Sequence, residues 1–290
     1  MRTDCHIHAH GHEKSAAILA EMDRRQVDVI GVMSPTPEAN TAEAHWEAFQ
    51  AASKMASQDR ERIRMFARIN PTVPGAVDLV ERAITELSLS GVKMLPDHWF
   101  PYEERFFPLY EKIQELRVPI LFHSGILWGN ADSSRFCRPV DYEALQLFPR
   151  IRFALAHVSW PWTDECIAVA DRFLTTARRA DGRDPDLARD VALRFVNLEN
   201  PQYKVDCQML VDTTRGTPPN YRKEVLATAL AVLGPDLLIF GSDTHDAEDL
   251  SKTVEHMELD TEILRELGRS DQEIDAILGS NFLKLFQPLG

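Results

Sequence analysis

The sequence predicts an α/β protein that folds as a (β/α)8 TIM barrel. Three observations support this fold: eight short apolar runs, helical patterns between them, and histidines or an aspartate where several runs end. The chain has 290 residues, of which 44% are hydrophobic and 27% charged, as is typical of a globular protein with a sizeable core. Alternating strand and helix units favour parallel strands with helices packed outside them.

Runs rich in Val, Ile, Leu and Phe mark the strands, which are bounded by polar and turn residues. The predicted strands are Thr3–His8, Val27–Ser34, Ile63–Asn70, Gly91–Leu95, Val118–Ser124, Ile151–Val158, Cys207–Thr213 and Leu237–Asp243. Apolar residues spaced among charged ones predict the helices. The predicted helices are Lys14–Gln26, Ala39–Gln58, Ala76–Leu89, Pro108–Leu116, Tyr142–Phe148, Thr163–Arg179 and Tyr221–Leu233. A capping box from Ser270 to Glu273 predicts the start of a last helix.

An open, doubly wound sheet is the alternative fold, but it would place a glycine-rich turn after the first strand. The sequence has His-Ala-His-Gly-His there. We therefore expect a single barrel domain over residues 1–290. The connection at residues 172–206 is longer than barrel loops usually are, so it is expected to be an insertion. Residues 246–290 are expected to form C-terminal helices.

The composition excludes several classes of partner. With 32 Lys and Arg against 45 Asp and Glu, the net charge is −13, which argues against nucleic acids and anionic membrane surfaces. It does not exclude a small anionic substrate. The apolar runs are too short to span a membrane, and no signal peptide precedes the first strand. The four cysteines form no Cys-x-x-Cys pair, which indicates reduced thiols and a cytoplasmic protein.

Residues of types that commonly bind metals, His and Asp, lie at the ends of four predicted strands. His6 and His8 close the first strand, and side-chain alternation places both on the same side of it. His123, His157 and Asp243 close strands five, six and eight. Since all strand ends of a barrel meet at one mouth, we expect these side chains to surround one point. Three or four nitrogen and oxygen ligands with an open position are typical of a catalytic site for zinc or a similar ion.

Several of these motifs resemble the amidohydrolase superfamily, specifically the amidohydrolase-related branch that includes aminocarboxymuconate semialdehyde decarboxylase. The matching segments are Asp4–His8, Phe66–Pro71, Gly91–Lys93, Phe122–Gly125, Leu155–His157, Val211–Thr213, Phe240–Asp243 and Ile277–Phe286. The resemblance covers nearly the whole chain apart from the predicted insertion. It implies a barrel of the metal-dependent hydrolase type, a small-molecule substrate and a homodimer.

The resemblance also implies roles for the site residues. One divalent ion, zinc or manganese, would be held by His6, His8, His123 and Asp243. His157 would act as catalytic acid or base, or as a further ligand in some relatives. Because a bound ion brings the pKa of its water to about 7, Asp243 could take or hold the released proton. Lys93 has two alternatives: a carbamate that bridges two ions, as in other branches, or a buried amine near the substrate.

Six residues near the expected mouth are candidates for substrate contact: Arg68, Lys93, His98, Trp128, Trp160 and His245. Arg68 could bind a substrate carboxylate, or it could form a salt bridge at the barrel rim. The tryptophans could wall an apolar substrate or only pack loops. His10 and His12 are expected in solvent, and His45 is expected at the surface because it lies in a helical segment.

The sequence leaves the reaction open. The leading hypothesis is hydrolysis of an amide, a lactone or an ester by a metal-activated water. The alternative is a metal-dependent, non-oxidative decarboxylase of a carboxylated aromatic or unsaturated acid. A hydratase and a binding module without catalysis are weaker alternatives. Released carbon dioxide would identify a decarboxylase, and incorporation of water without gas would identify a hydrolase.

Overall fold

Eight parallel strands form the centre of the molecule. The computed structural model describes residues 1–128, 132–178 and 208–287. The strands are β1 (Thr3–His8), β2 (Val29–Met33), β3 (Ile63–Arg68), β4 (Gly91–Met94), β5 (Ile120–Phe122), β6 (Phe153–Leu155), β7 (Met209–Asp212) and β8 (Leu238–Ile239). Each strand pairs with the next one in the chain. This order confirms the predicted (β/α)8 barrel.

The sheet returns to its first strand through hydrogen bonds beside β8. The Cys5 amide donates to the Phe240 carbonyl at 2.9 Å, and the His8 amide donates to the Thr244 carbonyl at 2.7 Å. The Asp243 amide donates to the His6 carbonyl at 3.0 Å. These bonds bring the end of β1 beside the segment that follows β8. The two most widely separated parts of the candidate site therefore lie side by side.

Helices cover the outside of the sheet. They are α1 (Ser15–Arg25), α2 (Ala42–Met55), α3 (Ala76–Thr85), α4 (Phe107–Leu116), α5 (Thr163–Arg178), α6 (Arg222–Leu233), α7 (Ser251–Glu266) and α8 (Asp271–Asp275). A further helical run continues from α8 to Phe286. The helix predicted at Tyr142–Phe148 is instead a 3-10 helix, Pro139–Leu147. The predicted capping box is confirmed, since Ser270 and Glu273 exchange side-chain and backbone hydrogen bonds.

Both faces of the sheet are buried, because side chains fill the barrel and the helices cover the outside. Every residue of β5 is completely buried. Phe122 packs edge-on against Tyr142 at 4.9 Å between ring centroids. The Tyr142 hydroxyl donates to the His123 carbonyl, so this aromatic layer supports the end of β5. Packing in the apolar core thus fixes the position of the end of β5.

The connection between α5 and β7 lies mostly outside the described residues. Residues 172–178 of the predicted insertion belong to α5, and residues 179–206 are not among those described. Cys5, Cys137 and Cys166 are buried free thiols. Among the described helices, none combines the length and the hydrophobicity needed to cross a bilayer.

Candidate active site

Two histidines of β1 meet an aspartate that follows β8. The Nε2 atoms of His6 and His8 lie 3.7 Å and 3.2 Å from Oδ1 of Asp243. One ligand atom from each of these three residues lies within 4.8 Å of the others. Asp243 has a left-handed backbone, with φ of 61°. This turn directs its carboxylate back toward the end of β1.

Asp212, at the end of β7, contacts the Nδ1 atom of the His6 imidazole. Its Oδ2 lies 2.7 Å from Nδ1 of His6, and the two side chains are 0% and 1% exposed. A proton on Nδ1 makes this contact a hydrogen bond and leaves the Nε2 lone pair directed into the site. Asp212 lies in one of the segments that resemble the family, but it is not among the site residues predicted from the sequence. The signal was available, since Asp212 is a carboxylate at a strand end like Asp243.

Close packing fixes this aspartate. Oδ1 of Asp212 accepts hydrogen bonds from the amide of Thr214, at 2.7 Å, and from its hydroxyl. A Cβ at Gly241 would lie 2.1 Å from Oγ1 of Thr214 and 2.8 Å from Cβ of His6, so only glycine fits between them. Burial raises the pKa of Asp212, although nearby His157 and the Thr214 bonds lower it in part.

Asp243 is ionised in spite of its partial burial. Burial raises its pKa, but the hydrogen bond with His8 and the charges of His6 and His157 lower it more. The resulting pKa is well below the usual range of an aspartate. The site therefore contains a carboxylate whose charge at neutral pH suits it to accept hydrogen bonds or to hold a cation.

Lys93 of β4 lies inside the site and is 1% exposed. Its Nζ is 3.2 Å from Nε2 of His6. Burial lowers its pKa from 10.5 to about 8, although Asp212 and Asp243 oppose this shift. Of the two roles predicted for Lys93, the structure fits both a buried amine next to the substrate and a carbamate next to His6.

His157 follows β6 in an uncommon backbone conformation. His157, Val158 and Ser159 have φ angles of 63°, 45° and 53°, in the left-handed region. This region is unfavourable for a β-branched residue such as Val158, and such strain is concentrated at functional sites. The buried Nδ1 of His157 has no hydrogen-bond partner among the described residues. Gly216 packs against this side of the ring, since a Cβ there would lie 2.9 Å from Nδ1 of His157.

The imidazoles of His157 and His123 extend the site across the mouth. The His157 ring lies 5.3 Å from the His6 ring and 5.0 Å from the His123 ring, centroid to centroid. Burial lowers the pKa of His157, although Asp243 and Asp212 oppose the shift. Nε2 of His123 lies 3.2 Å from the Ile126 carbonyl. His123 is thus outside the close group of His6, His8 and Asp243, and its role as a ligand stays a prediction.

The other substrate candidates lie at the mouth or on its rim. Arg68 ends β3 and is half-buried; its Nη1 donates to Oγ1 of Thr36 at 2.5 Å. The exposed His245 stacks on His8, with 4.7 Å between ring centroids. His98 is 51% exposed and contacts the Asp97 carboxylate through Nδ1. Of these three residues, His245 contacts a histidine of the site directly.

The tryptophans differ in position. Trp128 is 73% exposed, whereas the half-buried side chain of Trp160 packs against the apolar core. Their roles in substrate contact stay predictions. His10 and His12 are exposed, as expected.

The surface position expected for His45 is wrong, since it is 3% exposed. Its Nδ1 donates to the Thr41 carbonyl at 2.8 Å, and its Nε2 accepts from the Asn70 amide at 3.3 Å. His45 is buried because it lies on the face of α2 that contacts the end of β3.

Solved structures with the same architecture include two decarboxylases and a hydrolase. 5-Carboxyvanillate decarboxylase from Sphingomonas paucimobilis is 17% identical, with a TM-score of 0.58 over 92% of this chain and 81% of that one. 2,6-Dihydroxybenzoate decarboxylase from Rhizobium is 14% identical, with a TM-score of 0.60 over 92% and 86% of the two chains. A probable 2-pyrone-4,6-dicarboxylic acid hydrolase from Acinetobacter baumannii, with citric acid bound, is 14% identical, with a TM-score of 0.55 over 98% of each chain. At these identities the comparison shows a shared fold.

Sequence comparison identifies the family. Among curated proteins, none matches this chain significantly. The sequence profile described as Amidohydrolase matches residues 3–287, which is nearly the whole chain. The chain therefore belongs to the amidohydrolase family.

Proposed function

We propose that this protein is a metal-dependent hydrolase that cleaves a small carbonyl-containing substrate: an amide, a lactone or an ester. The proposal rests on the convergence of His6, His8 and Asp243 at the barrel mouth, with the imidazole of His157 beside them. Catalytic residues of (β/α)8 barrels lie at this face. A homodimer and a cytoplasmic location stay predictions from the sequence.

The donor atoms of the site fit a divalent metal ion. Two imidazole nitrogens and a carboxylate oxygen are the ligands that zinc prefers in catalytic sites, where a fourth position stays open. The ionised Asp243 supplies a negative charge, and Asp212 orients His6 through Nδ1 as metal-bound histidines require. His6, His8 and Asp243 would hold the ion. His123 is the proposed fourth ligand on the strength of the resemblance.

A bound divalent ion would acidify a water toward a pKa of about 7 and polarise a carbonyl oxygen. Asp243 is ionised, so it accepts the proton that the attacking water loses. The imidazole of His157 lies beside those of His6 and His123, where it would donate a proton to the substrate oxygen or to the leaving group. Burial of His6, Lys93 and His157 keeps bulk water away from the inner side of the site.

Decarboxylation of a carboxylated acid is the second candidate. Arg68, which lies beside Lys93 and forms no ion pair with the described residues, favours it. Two of the solved structures with this fold act on aromatic acids according to their names. In that reaction the bond from carbon to the carboxylate breaks and carbon dioxide leaves. His157 would then deliver a proton to the substrate carbon.

The first experiment is metal analysis of protein purified without chelator or affinity metal. One divalent ion per chain is expected, and Asp243→Asn should reduce it while Asp246→Asn, an exposed neighbour, should not. Two ions per chain would support a carbamate at Lys93. Absence of metal, with no activity after addition of zinc or manganese, would refute the proposal.

The metal-loaded protein is then tested on lactones, amides, esters and carboxylated aromatic acids. In ¹⁸O-labelled water, a hydrolase places label in the product acid and releases no gas. A decarboxylase releases carbon dioxide without that label. The two outcomes separate the two candidate reactions on the same samples.

A further inference from the structure

A cleft of about 160 Å³ opens at the barrel mouth, between the loops that follow β2, β3 and β4. Thr36 contributes from the first of these loops, Arg68 and Asn70 from the second, and Asp97 from the third. Among these four residues, Arg68 is the cation and Asp97 the anion. The cleft is therefore a candidate binding site for part of a ligand whose reacting group lies deeper in the barrel.

Arg68 is half-buried and has no carboxylate partner within 4.0 Å among the described residues. Its Nη1 donates to the Thr36 hydroxyl. Asp97 lines the same cleft, but its carboxylate contacts His98. Burial lowers the pKa of Arg68, and the charge of Asp97 opposes this shift without a direct ion pair between the two side chains. Guanidinium groups bind carboxylates through two parallel hydrogen bonds. An arginine held in this way is suited to bind a carboxylate that arrives with a ligand.

The cleft adjoins the candidate metal site. Arg68 pairs with Lys93 in the parallel register of β3 and β4, so their side chains leave the sheet on the same face. Lys93 in turn places Nζ 3.2 Å from Nε2 of His6. Neighbouring strands are about 4.8 Å apart, so a small molecule reaches from Arg68 to the histidines.

We propose that this cleft binds a carboxylate of the substrate through Arg68, so that the substrate is a small carboxylic acid whose reacting group lies at His6, His8 and Asp243. The placement of the reacting group rests on the proposed function. The binding of a carboxylate to Arg68 does not, because it requires neither metal nor turnover. Arg68 acts here as a specificity-determining residue.

The test compares two ligands that differ by one charge, glutarate and its monoamide glutaramate. Both are titrated by calorimetry onto metal-free and zinc-loaded protein, for the wild type, Arg68→Met, Arg68→Lys and Arg105→Met. Arg105 is the control. It lies after β4 and is 60% exposed, so its replacement removes one positive charge outside the cleft. Thermal melting confirms that each variant is folded. Arg68→Lys keeps the charge but not the paired hydrogen bonds, so it remains informative if Arg68→Met fails to fold.

Glutarate should bind Arg68→Met about 10- to 100-fold more weakly than wild type, the loss expected for a hydrogen bond to a charged group. Arg68→Lys should also bind it more weakly than wild type, and Arg105→Met should be unchanged. In zinc-loaded wild type, glutarate should bind more tightly than glutaramate, and Arg68→Met should lose this preference. Equal affinity of wild type and Arg68→Met for glutarate, or no binding at all, would overturn the inference.

The result also separates this inference from the proposed function. Suppose that the protein binds no zinc, but metal-free wild type still binds glutarate more tightly than Arg68→Met does. The metal mechanism then fails and the carboxylate site stands. If zinc binds and the variants do not differ toward glutarate, the carboxylate site fails and the metal mechanism is unaffected.

Discussion

Replacing Asp212 by asparagine tests whether the support behind His6 is needed for metal binding. The distance of 2.7 Å between Oδ2 of Asp212 and Nδ1 of His6, in surroundings that exclude water, makes this a charge-assisted hydrogen bond. Such a bond contributes about 1.5–3 kcal/mol, and roughly half of that is lost when the acceptor becomes neutral. Asparagine has the same shape and retains an oxygen that accepts from Thr214.

A loss of about 0.75–1.5 kcal/mol corresponds to a decrease in metal affinity of roughly 3- to 12-fold. Replacing residues that orient metal-binding histidines typically lowers affinity about 10- to 100-fold, so the lower end of that range meets the upper end of this one. The affinity is measured by competition between the protein and a zinc-binding dye, on Asp212→Asn and on wild type. Asp236→Asn serves as the control because Asp236 is 81% exposed.

The loss of this hydrogen bond should affect metal binding and not the fold. Asp212→Asn should weaken zinc binding while its thermal melting curve in the absence of metal stays close to that of wild type. A zinc affinity equal to that of wild type would refute the role of Asp212 in orienting His6. Equal loss of affinity in Asp236→Asn would show that overall charge, and not this hydrogen bond, sets the affinity.

Three further predictions concern residues around the mouth. His123→Ala should bind no metal and remain folded; unchanged metal content by elemental analysis would contradict its role as a ligand. Gly216→Ala places a Cβ 2.9 Å from the ring of His157, so kcat should fall about 10- to 100-fold at unchanged metal content, and an unaltered kcat would show that His157 tolerates displacement. Asp260→Asn breaks the buried ion pair with Arg222 and should lower the free energy of unfolding by about 3–5 kcal/mol in urea titrations. A change close to zero would mean that this pair does not stabilise the protein.

The strand ends of the site could be predicted because two general rules act on them. Alternation along β1 places His6 and His8 on one side, and parallel strands bring Asp243 to the same mouth. The structure confirms that these three side chains meet. Neither rule depends on the loops, so the prediction needed only the positions of the strands in the sequence.

The rest of the arrangement depends on local backbone geometry that the sequence does not show. The left-handed turn that sets the direction of His157 contains Val158, a residue type that rarely adopts it, so no turn signal marks it. His45 lies in a helix whose pattern allowed either a surface or a buried face, and only the contact between α2 and β3 decides. Asp212 could have been predicted, because it ends β7 and the same rule for strand ends applies to it. Its contact with His6 was not predicted.

The overall charge of the chain does not decide whether an anion binds at its mouth. A net charge of −13 would repel an anion at long range. At physiological ionic strength, however, exposed charges are screened beyond about 8 Å. Arg68 lines the cleft beside Asp97, and the buried Lys93 is its partner in the register of β3 and β4. A carboxylate that contacts Arg68 directly interacts at a distance where salt screens little, so an acidic protein is compatible with a small acid as its substrate.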